Sequence, residues 1–330
     1  MALLDIKNLT LEIETTNGWV KALDKVSLAI DAKEIRALVG ESGSGKSLIV
    51  KAIVGALNDS WRIKADRLNW RGKDLTLLSA EERRKITRDE IAVIFQNPSH
   101  SLDPTATLGE QLEESIPDHV LGKGWFWERR KRRRQIVTAQ LHKVGIKDHE
   151  TCMNSYPYQI PEDMCQKFMI AMALVSEPTL LIADDPTMGL ETTTKIQILK
   201  LLTRLNKTKE LSILFVSHDL LAIASLAETM TVLYCGQTVE SGKLTQLRKH
   251  PLHPYTKALL DSAPSFSKDL ARKSELNTLE GTIPTLQHLP IGCRLGPRCP
   301  RAQKECVKIP PLRQIQEHSY ACHFPLIRNG

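Results

Sequence analysis

The sequence has no apolar run near the roughly 18–20 residues that a membrane-spanning helix needs, which sets aside a transmembrane span by length. Met1-Ala2-Leu3-Leu4-Asp5 lacks the basic start of a secretory signal. The expectation is a soluble, cytoplasmic protein that can still rest on a membrane partner. Internal repeats and low-complexity tracts are missing, which sets aside repeat architectures. The seven cysteines form none of the close Cys-x₂₋₄-Cys pairs usual in structural zinc sites. The remaining composition is ordinary: 330 residues, 42% hydrophobic and 25% charged. That length holds one large domain with an added piece, or two modest domains. A net charge of +7 suits nucleic acid, acidic lipid or an acidic partner surface and discriminates poorly among them.

The most informative stretch is Gly40-Glu41-Ser42-Gly43-Ser44-Gly45-Lys46-Ser47. It follows an apolar run, Ile35 to Val39, and precedes Leu48 to Val54, with no breaker before Gly55. A buried strand, a glycine-rich turn and a helix start are the context a phosphate-binding loop requires. Gly40, Gly43 and Gly45 allow backbone conformations in which successive amides point at phosphate oxygens. The helix adds free N–H groups and the positive end of its dipole. Lys46 is placed to reach β- and γ-phosphates, and the Ser47 hydroxyl to ligate Mg²⁺. The chain is expected to bind a nucleoside triphosphate.

Residues 1–39 read as short strands, Leu3–Ile6, Leu9–Ile13 and Val26–Ile30, separated by turns at Asn17-Gly18 and Asp31-Ala32-Lys33. Trp19, on the first turn, reads equally as a stacking plate for a nucleotide base or as strand-edge packing. A second buried strand, Ile91–Phe95, ends in Gln96-Asn97-Pro98. An amide there can reach a ligand in the crevice at the strand's carboxyl end, or be a loop residue. Residues 100–178 read as helical. Within them Trp125-Phe126-Trp127 precedes Arg129-Arg130-Lys131-Arg132-Arg133-Arg134, a cation run open to three readings: a solvated helix face, acidic headgroups, or nucleic acid or an acidic partner.

A third strand, Leu180–Ala183, ends in Asp184-Asp185. In a phosphate-loop protein Asp184 would hold Mg²⁺ through its coordination shell and Asp185 would orient or deprotonate the attacking water. A fourth, Leu211–Val216, is followed by Ser217-His218-Asp219, whose imidazole can sense a γ-phosphate. Met230–Tyr234 and Thr238–Glu240 form a hairpin through Cys235-Gly236-Gln237, and residues 243–263 are expected to be helical with a break at 250–254. Cys152, Cys165 and Cys235 read as small buried hydrophobes. Cys293, Cys299, Cys306 and Cys322 fall in the last 38 residues, and in a chain without a secretory signal such clustering favours a metal site over disulfides. Their spacings, x₅, x₆ and x₁₅, suit the corners of a [4Fe–4S] cluster; zinc and plain reduced thiols are the alternatives.

The order phosphate loop, Gln96, Tyr156-Pro157-Tyr158-Gln159, Asp184-Asp185, Ser217-His218-Asp219 resembles the ATP-binding subunit of an ABC transporter, over roughly residues 3–260. The resemblance implies an α/β P-loop NTPase fold with a mostly parallel core sheet, an antiparallel β subdomain and a helical subdomain near residues 100–178. It implies an ATPase in which Gln96 meets Mg²⁺ and couples to the membrane subunit, residues 160–164 face the partner's ATP, His218 contacts the γ-phosphate and Trp19 stacks on adenine. Two such domains close head to tail in this family. His253-Pro254-Tyr255-Thr256-Lys257-Ala258-Leu259, Gly292-Cys293-Arg294-Leu295-Gly296-Pro297-Arg298-Cys299-Pro300 and Tyr320-Ala321-Cys322-His323-Phe324 resemble the oligopeptide and dipeptide importer branch. That branch implies residues 261–330 as an extension carrying a [4Fe–4S] cluster on Cys293, Cys299, Cys306 and Cys322. It further implies two permease subunits, a sister ATPase, indirect work with a periplasmic peptide-binding protein, no nucleic acid, and the cytoplasmic face of the inner membrane. A role in antimicrobial-peptide resistance belongs to the same resemblance.

Two positions depart from the family. Its Leu-Ser-Gly-Gly-Gln signature grips the partner's γ-phosphate, and here the stretch is Ile160-Pro161-Glu162-Asp163-Met164. Pro161 removes an N–H donor and Glu162-Asp163 set negative charge toward phosphate, so both oppose binding. Asp185 stands where the family carries glutamate. One methylene shorter, it leaves the carboxylate about 1 Å from the right water position, and such a displacement can cost roughly a hundredfold in rate. A homodimer is therefore expected to hydrolyse ATP weakly, and pairing with a sister ATPase of intact signature to repair the site on this chain's own phosphate loop. Two rival readings are a weakly catalytic regulatory subunit, for example of potassium uptake, and a soluble ABC-type protein acting on nucleic acid.

Overall fold

The computed structural model describes residues 2–16, 18–262 and 279–327. Expectations that fall on Asn17, on residue 263 and on parts of the 261–330 extension lie outside the described residues. The chain divides into two compact units, Met1–Leu77 with Phe215–Gly330, and Leu78–Leu214.

The first unit opens with β1 (Leu4–Thr15) antiparallel to β2 (Gly18–Ile30). The sequence reads as shorter strands because Lys7-Asn8 interrupts the alternation. The structure carries β1 through as one strand with a register shift between Ile6 and Leu9, where Asn8 takes a left-handed φ of 52°. Trp19 therefore lies in β2, opposite Glu14, rather than on a turn. Leu4, Leu9, Leu11 and Leu23 are wholly buried, and each is worth about 1.5–3 kcal/mol over exposure. Next come β3 (Ile35–Val39) and α1 (Lys46–Val54), which stops at Gly55 as the sequence implies. Three strands not foreseen from the sequence follow: β4 (Trp61–Lys64), β5 (Arg67–Trp70) and β6 (Lys73–Asp74). β4 and β5 both pair antiparallel with β1, and β6 pairs with β5, which completes an antiparallel sheet.

The second unit begins at α2 (Ala80–Asp89), closed by a Ser79–Glu82 capping box. β7 (Ile91–Ile94) pairs parallel with β8 (Leu180–Asp184), Ile91 opposite Leu180. Between them lie α3 (Pro98–Ser101), α4 (Leu108–Glu114), α5 (Asp118–Leu121), α6 (Phe126–Lys143), α7 (His149–Met153) and α8 (Glu162–Val175). These are the helices expected for residues 100–178. α9 (Thr192–Lys209) follows β8, and β9 (Ser212–Ser217) carries the chain out of this unit. All residues of β8 and β9 are buried, the sign of strands covered on both faces.

Back in the first unit, α10 (Leu220–Leu226) leads to β10 (Thr229–Tyr234), parallel to β3, with Thr231 opposite Leu38. β10 turns through Cys235-Gly236, both at positive φ, into β11 (Gln237–Lys243), as a two-residue hairpin requires. α11 (Leu244–Lys249) and α12 (Pro254–Asp261) flank the expected break. The extension adds β12 (Arg313–Ile315) and β13 (His318–Tyr320), with β13 antiparallel to β11, so its described part packs with the nucleotide-loop strands rather than apart from them.

Candidate functional site

The phosphate loop closes the β3–α1 connection in the first unit. Gly40 is demanded by space: a Cβ there would stand 2.2 Å from the Leu233 carbonyl oxygen. Lys46 is buried, and its Nζ donates to the carbonyls of Gly40 at 2.8 Å and Glu41 at 3.0 Å, which folds the loop around the ammonium. Leu48 and Ile49 N–H both donate to the Gly45 carbonyl, starting the helix at Lys46-Ser47. The first N–H groups of such a helix have no intrahelical acceptor, and with its dipole they favour an anion. Ser44 is fully buried with no hydrogen-bond partner for its Oγ, while its carbonyl accepts from Gly236 N–H at 2.7 Å. This loop geometry fits a triphosphate. When bound, ATP supplies the phosphoryl group and Mg²⁺ neutralises its charge; Lys46 and Ser47 are the residues that would meet them.

His218, in the same unit, is exposed just after β9, where Asp219 caps α10 by accepting from Leu221 and Ala222 N–H. Trp19 is 37% exposed. The Arg62 guanidinium carbon stands 3.8 Å from the centre of its ring, so one aromatic face is already in use by this chain.

In the second unit, Asp184 ends β8 and is buried together with Asp185. Asp185 takes φ 45°, a left-handed conformation that costs a non-glycine residue about 1–3 kcal/mol and tends to persist at functional positions. Gln96 is exposed after β7 and its Nε2 contacts the Met188 sulfur at 3.2 Å. The 160–164 stretch opens a helix. Pro161 is the N-cap of α8 with φ −60° and ψ 151°, its carbonyl accepting from Met164 and Cys165 N–H, and Glu162 and Asp163 fill the first turn. Acids there are favoured by the helix dipole, so the segment satisfies its own helix with the charges a phosphate would otherwise supply. The cation run lies on α6. Arg129 pairs with Asp118, Arg134 approaches Glu150 at 3.7 Å, and Arg132 donates to the Leu121 and Lys123 carbonyls. Trp125, Phe126 and Trp127 remain exposed.

The four tail cysteines converge. Cys293, Cys299, Cys306 and Cys322 all line one cavity of about 10 Å³, with His253, Leu295, His323 and Phe324. Gly292 makes this approach possible, since a Cβ there would lie 2.3 Å from the Val307 carbonyl carbon. Cys293 N–H donates to the Cys306 carbonyl at 2.9 Å. Burial, reinforced by the neighbouring cysteines, pushes the Cys322 thiol up to about 11 and raises Cys293 and Cys299 as well. Four sulfurs in one cavity are the donor set a [4Fe–4S] cluster takes, but a cavity of that size holds about one water-sized sphere. Among the described residues no group of three or more His, Cys, Asp or Glu side chains is placed to hold a metal ion. The expectation of a [4Fe–4S] cluster, or of zinc, at these cysteines is therefore not supported by their arrangement.

Glu240, His253, Tyr255 and Arg298 have no part in the site as read from the sequence. Glu240, fully buried, accepts from Leu252 N–H at 2.7 Å and His253 N–H at 2.9 Å, and pairs with His318 Nε2 at 2.6 Å. This anchors the break before α12. His253 Nδ1 then accepts from Tyr255 N–H at 3.1 Å, and burial, partly offset by Glu240, pushes His253 down to about 4. Tyr255 in turn accepts from Glu41 N–H at 2.9 Å, so a helix beyond residue 250 braces the phosphate loop. Arg298 reaches the Glu41 carboxylate, at 3.2 Å. The contacts of Tyr255 and Arg298 with Glu41 join residues 214 and 257 apart in sequence, and no local pattern announces them.

Comparison with known proteins agrees with this geometry. Residues 23–188 match the ABC transporter family model, and residues 239–306 match the oligopeptide/dipeptide transporter C-terminal region. The peptide transport system ATP-binding protein SapD of Salmonella typhimurium is 52% identical over 99% of this chain and 98% of its own. The SapD of Haemophilus influenzae is 48% identical over 99% and 93%, and the dipeptide transport ATP-binding protein DppD of the same organism 39% identical over 100% and 98%. Among solved structures, the post-hydrolysis dimer of the ATP-binding cassette MJ0796 bound to ADP and Pi aligns with a TM-score of 0.60 at 28% identity, covering 73% of this chain and 98% of that one. The chain belongs to the ABC transporter family of P-loop ATPases, as an ATP-binding subunit whose hydrolysis is coupled to transport.

Proposed function

We propose that this chain energises the transport of peptides, of the kind linked to antimicrobial-peptide resistance, from the cytoplasmic face of a bacterial inner membrane. Two permease subunits recruit it, and a periplasmic peptide-binding protein acts on it indirectly; nucleic acid has no part. The relatives named for peptide and dipeptide transport support the substrate class. No described helix is long and apolar enough to cross a membrane, which is consistent with a peripheral subunit. Residues 1–260 serve as the nucleotide-binding domain, with the helical subdomain near 100–178, and 261–330 as the importer-type extension.

In this reading Gly40 to Ser47 hold the phosphates, with Lys46 on the β- and γ-oxygens. Ser47, Gln96 and Asp184 hold Mg²⁺, Asp185 holds the attacking water and His218 contacts the γ-phosphate. Trp19 stacks on adenine through its free face. The observation that carries the finer proposal is the Pro161-Glu162-Asp163 helix start. It supports an asymmetric heterodimer in which a sister ATPase of intact signature completes the site on this chain's phosphate loop. Asp185 and the same helix start also favour a second reading, a weakly catalytic regulatory subunit such as one serving potassium uptake. Reconstitution with the permeases in vesicles separates them: peptide-stimulated ATP turnover lost in Lys46→Ala supports transport, and turnover unmoved by peptide or by Lys46→Ala overturns it. Iron and acid-labile sulfide in anaerobically purified chain test whether Cys293, Cys299, Cys306 and Cys322 hold the cluster that the resemblance implies or are reduced thiols.

A further inference from the structure

Two arginines of the tail each adjoin a cysteine of the converging set; Arg298 reaches the phosphate loop itself, and Arg294 reaches the turn hydrogen-bonded to that loop. Arg298 precedes Cys299 and is 9% exposed. Its Nη1 donates to the Glu41 carboxylate oxygens at 3.2 and 3.4 Å and to Tyr234 Oη at 3.3 Å, while Nε donates to the Glu280 carbonyl at 3.0 Å. Arg294 follows Cys293 and is buried. It donates to the Cys235 carbonyl and to the Lys21 carbonyl, the latter at 3.3 Å, and lies 3.7 Å from Asp24. The Cys235-Gly236 turn it holds is the one whose Gly236 N–H donates to Ser44. The loop is thus gripped at two points from the four-cysteine segment, at Glu41 by Arg298 and at Ser44 through the turn that Arg294 fixes.

The grip has an electrostatic consequence. Glu41 sets a negative charge, 35% exposed, on the loop that receives a triphosphate. Like charges at close range oppose binding, and the guanidinium of Arg298 offsets that charge from inside the fold. We propose that Arg298 and Arg294 are positioning residues through which the four-cysteine segment sets the affinity of the phosphate loop for triphosphate. The inference rests on residues 40–47 being the ATP site. Because such coupling is reciprocal, a change in how the cysteines are held alters nucleotide affinity, and nucleotide alters how the cysteines are held.

The test is equilibrium binding of ATP with Mg²⁺ to the full chain, beside the Tm of each variant. Arg298→Gln leaves Glu41 uncompensated and should weaken binding about fivefold. Glu41→Gln leaves Arg298 in excess and should tighten binding by a similar factor, and the double variant should return to within about twofold of the parent. Arg298→Lys, which keeps the charge, should recover most of the loss. Each difference should shrink as salt is raised. Cys299→Ser, which keeps both charges and loosens only the segment, should weaken binding about twofold in the parent and have no further effect on Arg298→Gln.

Equal affinity for parent, Arg298→Gln and Glu41→Gln overturns the proposal, as does a double variant as weak as Arg298→Gln. A Cys299→Ser effect that is absent, or that persists undiminished in Arg298→Gln, overturns the link to the cysteines. If Arg298→Gln does not fold, the tightening by Glu41→Gln and the recovery by Arg298→Lys decide the matter. A parent chain whose binding matches that of Lys46→Ala would instead overturn the ATP-site reading itself.

Discussion

The phosphate loop and the 160–164 segment both open helices, and the chain treats the two helix starts in opposite ways. At the loop every departure from a bare phosphate cradle is offset: Lys46 is held by the Gly40 and Glu41 carbonyls, and the Glu41 carboxylate by Arg298. At α8 the negative charges of Glu162 and Asp163 occupy the first turn and Pro161 replaces an N–H donor at its cap. The first arrangement is ready for a phosphate, and the second has satisfied its own helix dipole without one. The lesson is that a helix N-terminus is an anion site only while its charge is left unspent.

Removing Lys46 should break the intact side of the comparison with the largest effect. Lys46→Ala is expected to reduce ATP turnover by about a hundredfold or more in any mixture, read by phosphate release, since Lys46 is the cation proposed to meet the transferring group. Rebuilding the other side should come next. Pro161→Ser with Glu162→Gly and Asp163→Gly is expected to raise turnover of the chain alone by at least about tenfold, as two phosphate-bearing interfaces replace none. A rebuilt segment that leaves turnover unchanged would mean that its charges do not govern the site. Asp185→Glu restores the missing methylene and is expected to give a further gain of about tenfold, seen in kcat more than in KM.

A smaller, stability-level effect tests how the loop is braced. Burial pushes His253 in the fold down to about 4, against an ordinary 6.5. The unfolded chain therefore takes up the proton first on acidification, so this contribution is whole above pH about 6.5, falls through the window to about 4 and is gone below it. Urea midpoints should decline over that window by an amount worth about 3 kcal/mol. His253→Asn, which keeps a helix-capping acceptor, should flatten the decline.

The sequence made the phosphate loop, β7 to β9 and the β10–β11 hairpin legible because each combines a local apolar run with a turn signal. β4 to β6 were hidden since they are short and largely polar, as in Trp61-Arg62-Ile63-Lys64, and β12 is exposed throughout. The continuity of β1 was masked by the bulge at Asn8. For the site, Lys46, Asp184, Asp185 and His218 stand on elements found where expected. Tyr255, Arg294 and Arg298 matter through partners more than 200 residues away, and Glu240 through His318, 78 residues on; a single sequence carries no local trace of such pairs. The clustered tail cysteines do line one small cavity, but room for a metal centre is not encoded in spacing, and among the described residues none is placed to hold one.

The most direct measurement of the central asymmetry is ATP turnover by the purified chain alone and after mixing with a sister ATPase whose Leu-Ser-Gly-Gly-Gln signature is intact. The account predicts little turnover alone, a gain of at least about tenfold in the mixture, and loss of that gain with Lys46→Ala in this chain. Full turnover by the chain alone, or a mixture gain that survives Lys46→Ala, would contradict it.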